Sequence, residues 1–150
     1  MRIALFEPDI PQNTGNILRL GACLGVAIDI IEPTSFIFDD KRFKRALMDY
    51  LDHVVYKKHD DWNTFYKWSK KNNFRLVLLT TKSKKNYSTF KFSNSDIIIL
   101  GKESAGVPVF VHDSVDNSLT IPMKKGLRSL NVSSAAAIAV SEACRQLYLF

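Results

Sequence analysis

Three stretches carry the residue types in this chain that could handle a ligand, and each directly follows a short apolar run. The first is Asn13-Thr-Gly-Asn-Ile-Leu-Arg19, in which Gly15 permits a tight turn and Asn13 or Asn16 can cap orphan helix amides. Arg19 lies about one helical turn further in, among Ile17, Leu20 and Leu24, where a sequence chosen for stability rarely places a guanidinium. The second is Leu100-Gly-Lys-Glu-Ser-Ala-Gly-Val-Pro108, whose two glycines would let a ligand approach the backbone closely. The third is Ile121-Pro-Met-Lys-Lys-Gly-Leu-Arg-Ser-Leu-Asn-Val-Ser133, a polar segment that leads into a long apolar stretch.

More familiar chemistry is nearly present and then fails. Gly101 to Gly106 has P-loop glycine spacing, but Val107-Pro108 replaces the Lys-Ser/Thr that would hold phosphate and magnesium. No GxGxxG follows the first apolar run, and Lys102 occupies the first glycine of a nucleophile elbow around Ser104. Cys23, Cys144 and three scattered histidines have no metal-ligand spacing and no disulfide framework, so no metal is expected.

The elements that must position these loops alternate between strand and helix. Short apolar runs predict strands at 3–6, 28–32, 54–56, 76–80, 97–100 and 119–121, with helices at 13–25, 40–51, 60–71 and 129–149. That alternation predicts an α/β fold with a mostly parallel sheet flanked by helices, in one domain over residues 1–150. The final helix is apolar or small nearly all round from Leu130 to Val140, which predicts burial against a second subunit.

Charge adds a partner class. The chain has a net charge of +6, and the excess is confined to its middle. Residues 41–91 hold fourteen basic and four acidic side chains, whereas 1–40 hold two and six, and 92–150 hold five of each. Such localised positive charge fits a polyanion, with Arg42, Arg45, Lys82 and Lys84 as candidate phosphate contacts. No apolar run approaches membrane-spanning length, and Glu7 and Asp9 come too early for a signal peptide, which predicts a cytoplasmic protein.

In this order and spacing the three loops resemble the three signature motifs of the SPOUT superfamily of S-adenosylmethionine-dependent RNA methyltransferases. Glu7-Pro8, Ile30-Ile-Glu-Pro33, Asp39-Asp-Lys-Arg42, Asp49-Tyr50, Leu79-Thr-Thr-Lys82 and Ile121-Pro-Met123 resemble its small branch, which 2′-O-methylates the tRNA wobble nucleotide. The resemblance implies a deep C-terminal trefoil knot, a homodimer built on the final helix, and the anticodon stem-loop of tRNA as substrate, leucine isoacceptors foremost. It implies Arg19 as the catalytic residue, acting as a base or orienting the neighbouring phosphate; the orienting role is favoured, since an ordinary arginine stays protonated, and the base role is open. For the cofactor it implies Leu79, Gly101, Ile121 and Ser129, with Glu103, Met123 and Leu130 beside them, and it gives Asn16 and Asn131 the task of organising the loops.

The chain departs from the family pattern in three places. Lys102 stands where a small residue, proline or asparagine is usual, Ser134 where asparagine is common, and Ser141 where related enzymes can carry tyrosine. Two alternatives follow: an RNA-binding dimer without transfer activity, or a ribose methyltransferase acting at another RNA site.

Overall fold

The computed structural model describes residues 1–37, 50 and 53–148. The helix expected at 40–51 and the candidates Arg42 and Arg45 therefore lie outside the described residues, apart from Tyr50.

Six strands form one sheet in the order β3-β2-β1-β5-β4-β6, and every neighbouring pair is parallel. They are β1 (Arg2–Phe6), β2 (Ala27–Ile31), β3 (Tyr56–His59), β4 (Arg75–Leu79), β5 (Asp96–Leu100) and β6 (Asn117–Leu119). The α-helices among the described residues are α1 (Pro11–Leu24), α2 (Trp62–Lys71), α3 (Val109–Ser114) and α4 (Val132–Leu147).

The continuous apolar runs follow from covering both faces of this sheet. Ile3, Leu5, Ile28, Ile30, Val77, Ile98 and Leu100 pack under Ile17 and Leu18 of α1 and Ala136, Val140 and Ala143 of α4. Residues of the opposite parity, among them Ala4, Phe6, Ile31, Leu76, Leu78, Ile97 and Ile99, pack under Trp62 and Phe65 of α2 and Val111 of α3.

At the N-terminal edge of the sheet, charge closes the structure. Arg75 grips the fully buried Asp96 through Nε and Nη2 at 2.6 and 2.8 Å, and this hydrogen bonding raises the guanidinium pKa. Lys70 meets both oxygens of Asp116 at 2.9 and 2.8 Å. Away from that edge, in the middle of β2, Arg2 and His59 share the buried Asp29, with His59 Nε2 2.8 Å from Oδ1 and its ring against Phe65 and Trp68.

Several expectations change. The third strand falls at Tyr56–His59 rather than 54–56, because its only buried side chain is His59 and its lysines face solvent on a sheet edge. Helix α3 has six residues, too few to show a period, and so was not expected. Neither Asn13 nor Asn16 caps α1: the helix begins at Pro11, with Ile10 at the cap position and no side-chain hydrogen bond. Helix α4 begins at Val132, three residues later than expected, because Asn131 caps it.

Its all-round apolar character also has an internal explanation. Ala136 and Ala139 are buried by this chain's own sheet and by α1, leaving Ser134, Ile138, Ser141 and Arg145 along the exposed side. An apolar helix here does not by itself require a second subunit.

Candidate active site

Because every strand runs the same way, the segments that follow β1, β4, β5 and β6 emerge at one edge of the sheet, where open α/β sheets bind ligands. There they enclose a cavity of about 440 Å³. That volume lies within the roughly 300–1,000 Å³ of small-molecule pockets. Leu79, Thr80 and Thr81 contribute from the end of β4, and Gly101, Lys102 and Glu103 from the end of β5. Ile121 and Met123 follow β6, although β6 itself ends at Leu119, two residues short of the expected strand end. Ser129, Leu130 and Asn131 lead into α4. All seven residues expected around a cofactor thus line one cavity, together with Asn131.

The loops are tied by a chain of directional hydrogen bonds. Asn131 Oδ1 accepts from the backbone N–H groups of Ser133 and Ser134 at the start of α4, at 2.9 and 3.4 Å. Its Nδ2 donates to Asn13 Oδ1 at 3.0 Å, and Asn13 Nδ2 donates to Glu103 Oε1 at 3.2 Å. The other Glu103 oxygen accepts from the Asp9 N–H at 3.0 Å, while Asp9 accepts from the Glu103 N–H at 3.1 Å and from the Ser104 hydroxyl.

This arrangement splits the two carboxyl groups. Burial, then the neighbouring Asp9 side chain, pushes Glu103 up. Hydrogen bonding to the Glu103 side chain, helped by Ser104, holds Asp9 down at about 2. Sequence reasoning placed the organising role on Asn16 and Asn131. The linking residue is Asn13, buried on the cavity side of α1, whereas Asn16 is exposed on the other side. The available signal was the start of α1 at Pro11, which sets the helix phase and with it which asparagine faces inward.

Gly101 also has a reason inside the chain itself, beside the one expected. A Cβ there would lie 2.8 Å from the carbonyl carbon and 2.9 Å from Cα of Gly106, inside any real contact distance. The loop folds back on itself, with Lys102 and Gly106 exchanging N–H···O bonds of 3.0 and 2.7 Å. Gly101 is therefore needed by the chain itself, and Lys102 takes part through its backbone.

Arg19 lies outside the cavity. Six residues beyond Asn13, about 9 Å along the helix axis, it projects from the exposed stripe that also carries Gln12, Asn16 and Cys23. Its guanidinium sits over the Tyr50 ring, 4.6 Å from the centroid, with Nη2 3.5 Å from the phenol oxygen. Lys82 and Lys84 are exposed on the segment after β4, close in sequence to the Thr80 and Thr81 walls. Among the described residues no cluster of His, Cys, Asp and Glu could hold a metal, and no helix is long and apolar enough to cross a membrane.

The comparisons with known proteins agree with one another. A tRNA (cytidine(34)-2'-O)-methyltransferase of Beijerinckia indica is 50% identical over 145 residues, covering 97% of this chain and 91% of that protein. Its counterpart of the same name in Escherichia coli K12 is 40% identical over 149 residues, covering 98% and 94%. A solved structure concerned with the 2-OH methylation of C/U34 on tRNA superposes with a TM-score of 0.93 at 33% identity, covering 98% of this chain and 95% of that one. The family model described as SpoU rRNA Methylase matches residues 1–141, and the chain belongs to that family.

Proposed function

We propose that this chain methylates the ribose 2′-hydroxyl of the tRNA wobble nucleotide, cytidine or 5-substituted uridine, with S-adenosylmethionine as cofactor. The observation that carries the reading is the cavity at the C-terminal edge of the sheet, in a chain of a methylase family. Apolar side chains of Leu79, Ile121, Met123 and Leu130 alternate there with backbone groups that lie beyond the strand ends, a combination suited to enclosing and reading an adenine. Leu79, Gly101, Ile121 and Ser129 would hold the cofactor, with Glu103, Met123 and Leu130 beside them. When bound, S-adenosylmethionine supplies a methyl group already activated on a sulfonium.

The protein then has chiefly to position the ribose hydroxyl in line with that methyl. Asn13, Glu103 and Asn131 keep three loops in one arrangement. Arg19, outside the cavity, meets the RNA: its permanently charged, planar fork suits the phosphate next to the reacting ribose. Lys82 and Lys84, with Arg42 and Arg45, neutralise phosphates of the anticodon stem-loop.

The proposal includes leucine isoacceptors as preferred substrates, action in the cytoplasm, and a two-fold dimer that meets through the exposed side of α4. It also includes the C-terminal knot. The pairing of Thr120 with Lys85 and Tyr87, and the return of α4 to α1, support such a threading.

The test is transfer of labelled methyl into total tRNA, followed by mass spectrometry of nuclease digests. A 2′-O-methyl group at the wobble position of leucine tRNAs is expected. A methyl on a base, on ribosomal RNA or elsewhere in tRNA would overturn the assignment. Tight RNA binding without cofactor binding or transfer would favour the inactive RNA-binding dimer instead.

A further inference from the structure

We infer that Tyr50 is a positioning residue for Arg19, holding its guanidinium in place without neutralising it. The inference rests on the reading of Arg19 as the group that meets an RNA phosphate.

Three other arginines pair with a carboxylate, and two of those, Arg2 and Arg75, also lie over a ring, Trp68 and Phe90. Arg2 is committed to Asp29, Arg75 to Asp96 and Arg145 to Glu142, each through two nitrogens. Each such pair fixes the side chain but cancels its charge and uses its donors. Arg19 is instead held by an aromatic face 4.6 Å away. The ring attracts the cation through its quadrupole, which requires none of the N–H donors. Only Nη2 approaches the phenol oxygen, at 3.5 Å, the outer limit of a hydrogen bond. Among the described residues no carboxylate pairs with Arg19, so there the charge and most of the fork stay available.

The backbone that carries the ring is anchored independently of Arg19. The Tyr50 carbonyl accepts from the Val54 N–H at 3.1 Å, and Val54 packs on the apolar cluster that also contains Ile17 and Leu18 of α1. Helix and ring are thus referenced to the same core. A long exposed side chain would otherwise sample many rotamers, and phosphate would have to select one of them at each encounter. Holding it beforehand removes that loss from the step in which the ribose is aligned.

The experiment compares the full chain with Tyr50→Leu, Tyr50→Gln, Tyr50→Phe, Arg19→Ala and the Arg19→Ala/Tyr50→Leu double variant. Turnover on tRNA, KM for tRNA, cofactor affinity by calorimetry and melting temperature are measured for each. Tyr50→Leu and Tyr50→Gln are expected to lower kcat about tenfold while cofactor affinity and melting temperature stay unchanged. Tyr50→Phe, which keeps the ring, should restore most of the lost rate. The double variant should be no slower than Arg19→Ala, because without the guanidinium the ring has nothing to position. Normal turnover in both Tyr50→Leu and Tyr50→Gln beside an impaired Arg19→Ala would overturn the inference alone, as would losses that multiply in the double variant. Full activity of Arg19→Ala would instead remove the assignment of Arg19, and this inference with it.

Discussion

The two edges of the sheet handle carboxyl groups in opposite ways. At the N-terminal edge, Asp96 and Asp116 each meet a cation at under 3 Å. At the C-terminal edge, Asp9 and Glu103 are held by backbone N–H groups, a hydroxyl and the Asn13 amide. Opposite charges draw together and shut an edge. Neutral donors hold a carboxylate in a defined place without collapsing the space around it, and the cavity lies at the edge where they do so. The first edge is therefore expected to govern stability and the second to govern binding.

The largest effect should come from Asp96→Ala, which strands the Arg75 guanidinium and the Ser93 N–H. Breaking the pair costs about 3 kcal/mol, the low end for a buried pair, because Arg75 is one-third exposed and keeps the Lys91 carbonyl. For a chain of this size that lowers the melting temperature by roughly 10 °C. Calorimetric cofactor affinity, measured well below the transition, should not change.

Asn13→Ala should do the reverse. It leaves one Glu103 oxygen and the Asn131 amide without partners, at about 1–3 kcal/mol. That cost is expected in the arrangement of the loops, so cofactor affinity should fall about tenfold while the melting temperature moves less than in Asp96→Ala. An Asn13→Ala protein that melts as early as Asp96→Ala yet binds cofactor normally would erase the distinction between the edges.

Gly101→Ala sharpens it further. The added methyl would collide with the Gly106 backbone rather than with a ligand, so the loop must open. Affinity should weaken by several-fold, on the order of 1 kcal/mol, with little change in melting temperature. Wild-type affinity in this variant would show that the turn at 101–106 does not shape the cavity.

The smallest effect is one of pH. Asp9 is held at about 2 against an ordinary 3.8, so its contribution to stability is complete above 3.8 and fades as pH falls towards 2. Glu103 is raised, so its contribution has the opposite sign: present below its ordinary 4.5 and lost as pH rises through the folded value. Asp9→Asn should flatten the loss of melting temperature below pH 4, only slightly because Asp9 is largely exposed to solvent. An unchanged acid limb would mean that the Asp9 contacts do not persist in solution.

The parts of this fold legible in the sequence are those in which one physical demand dominates. Strands β4 and β5 must be apolar on both faces, and their runs from Leu76 and Ile97 are unmistakable. β3 was displaced because Tyr56-Lys-Lys-His answers to a solvent-facing edge and to Asp29, neither of which leaves an apolar period. The ligand-facing loops were recognisable by residue type and order. Which asparagine turns inward was not, since that depends on the phase of α1. The Gly101–Gly106 contact was hidden too, because one backbone against another carries no side-chain signal beyond the glycines themselves. The alanines of α4 suit a core and an interface equally well, and only the packed chain shows that Ala136 and Ala139 belong to its core.

The position of β1 has a consequence for how the molecule forms. Arg2 pairs on one side with Ala27 and on the other with Ile97, so the first of the six strands in chain order is also a central one. One of its edges can be satisfied early, but the other waits for almost two thirds of the chain. Closing so long an intervening segment before its contacts compensate for the lost entropy makes assembly slow. Until β5 arrives, β1 presents an unpaired apolar edge of the kind that recruits neighbouring chains. For β1 the window of vulnerability to aggregation thus closes only once Leu100 has been synthesised and docked.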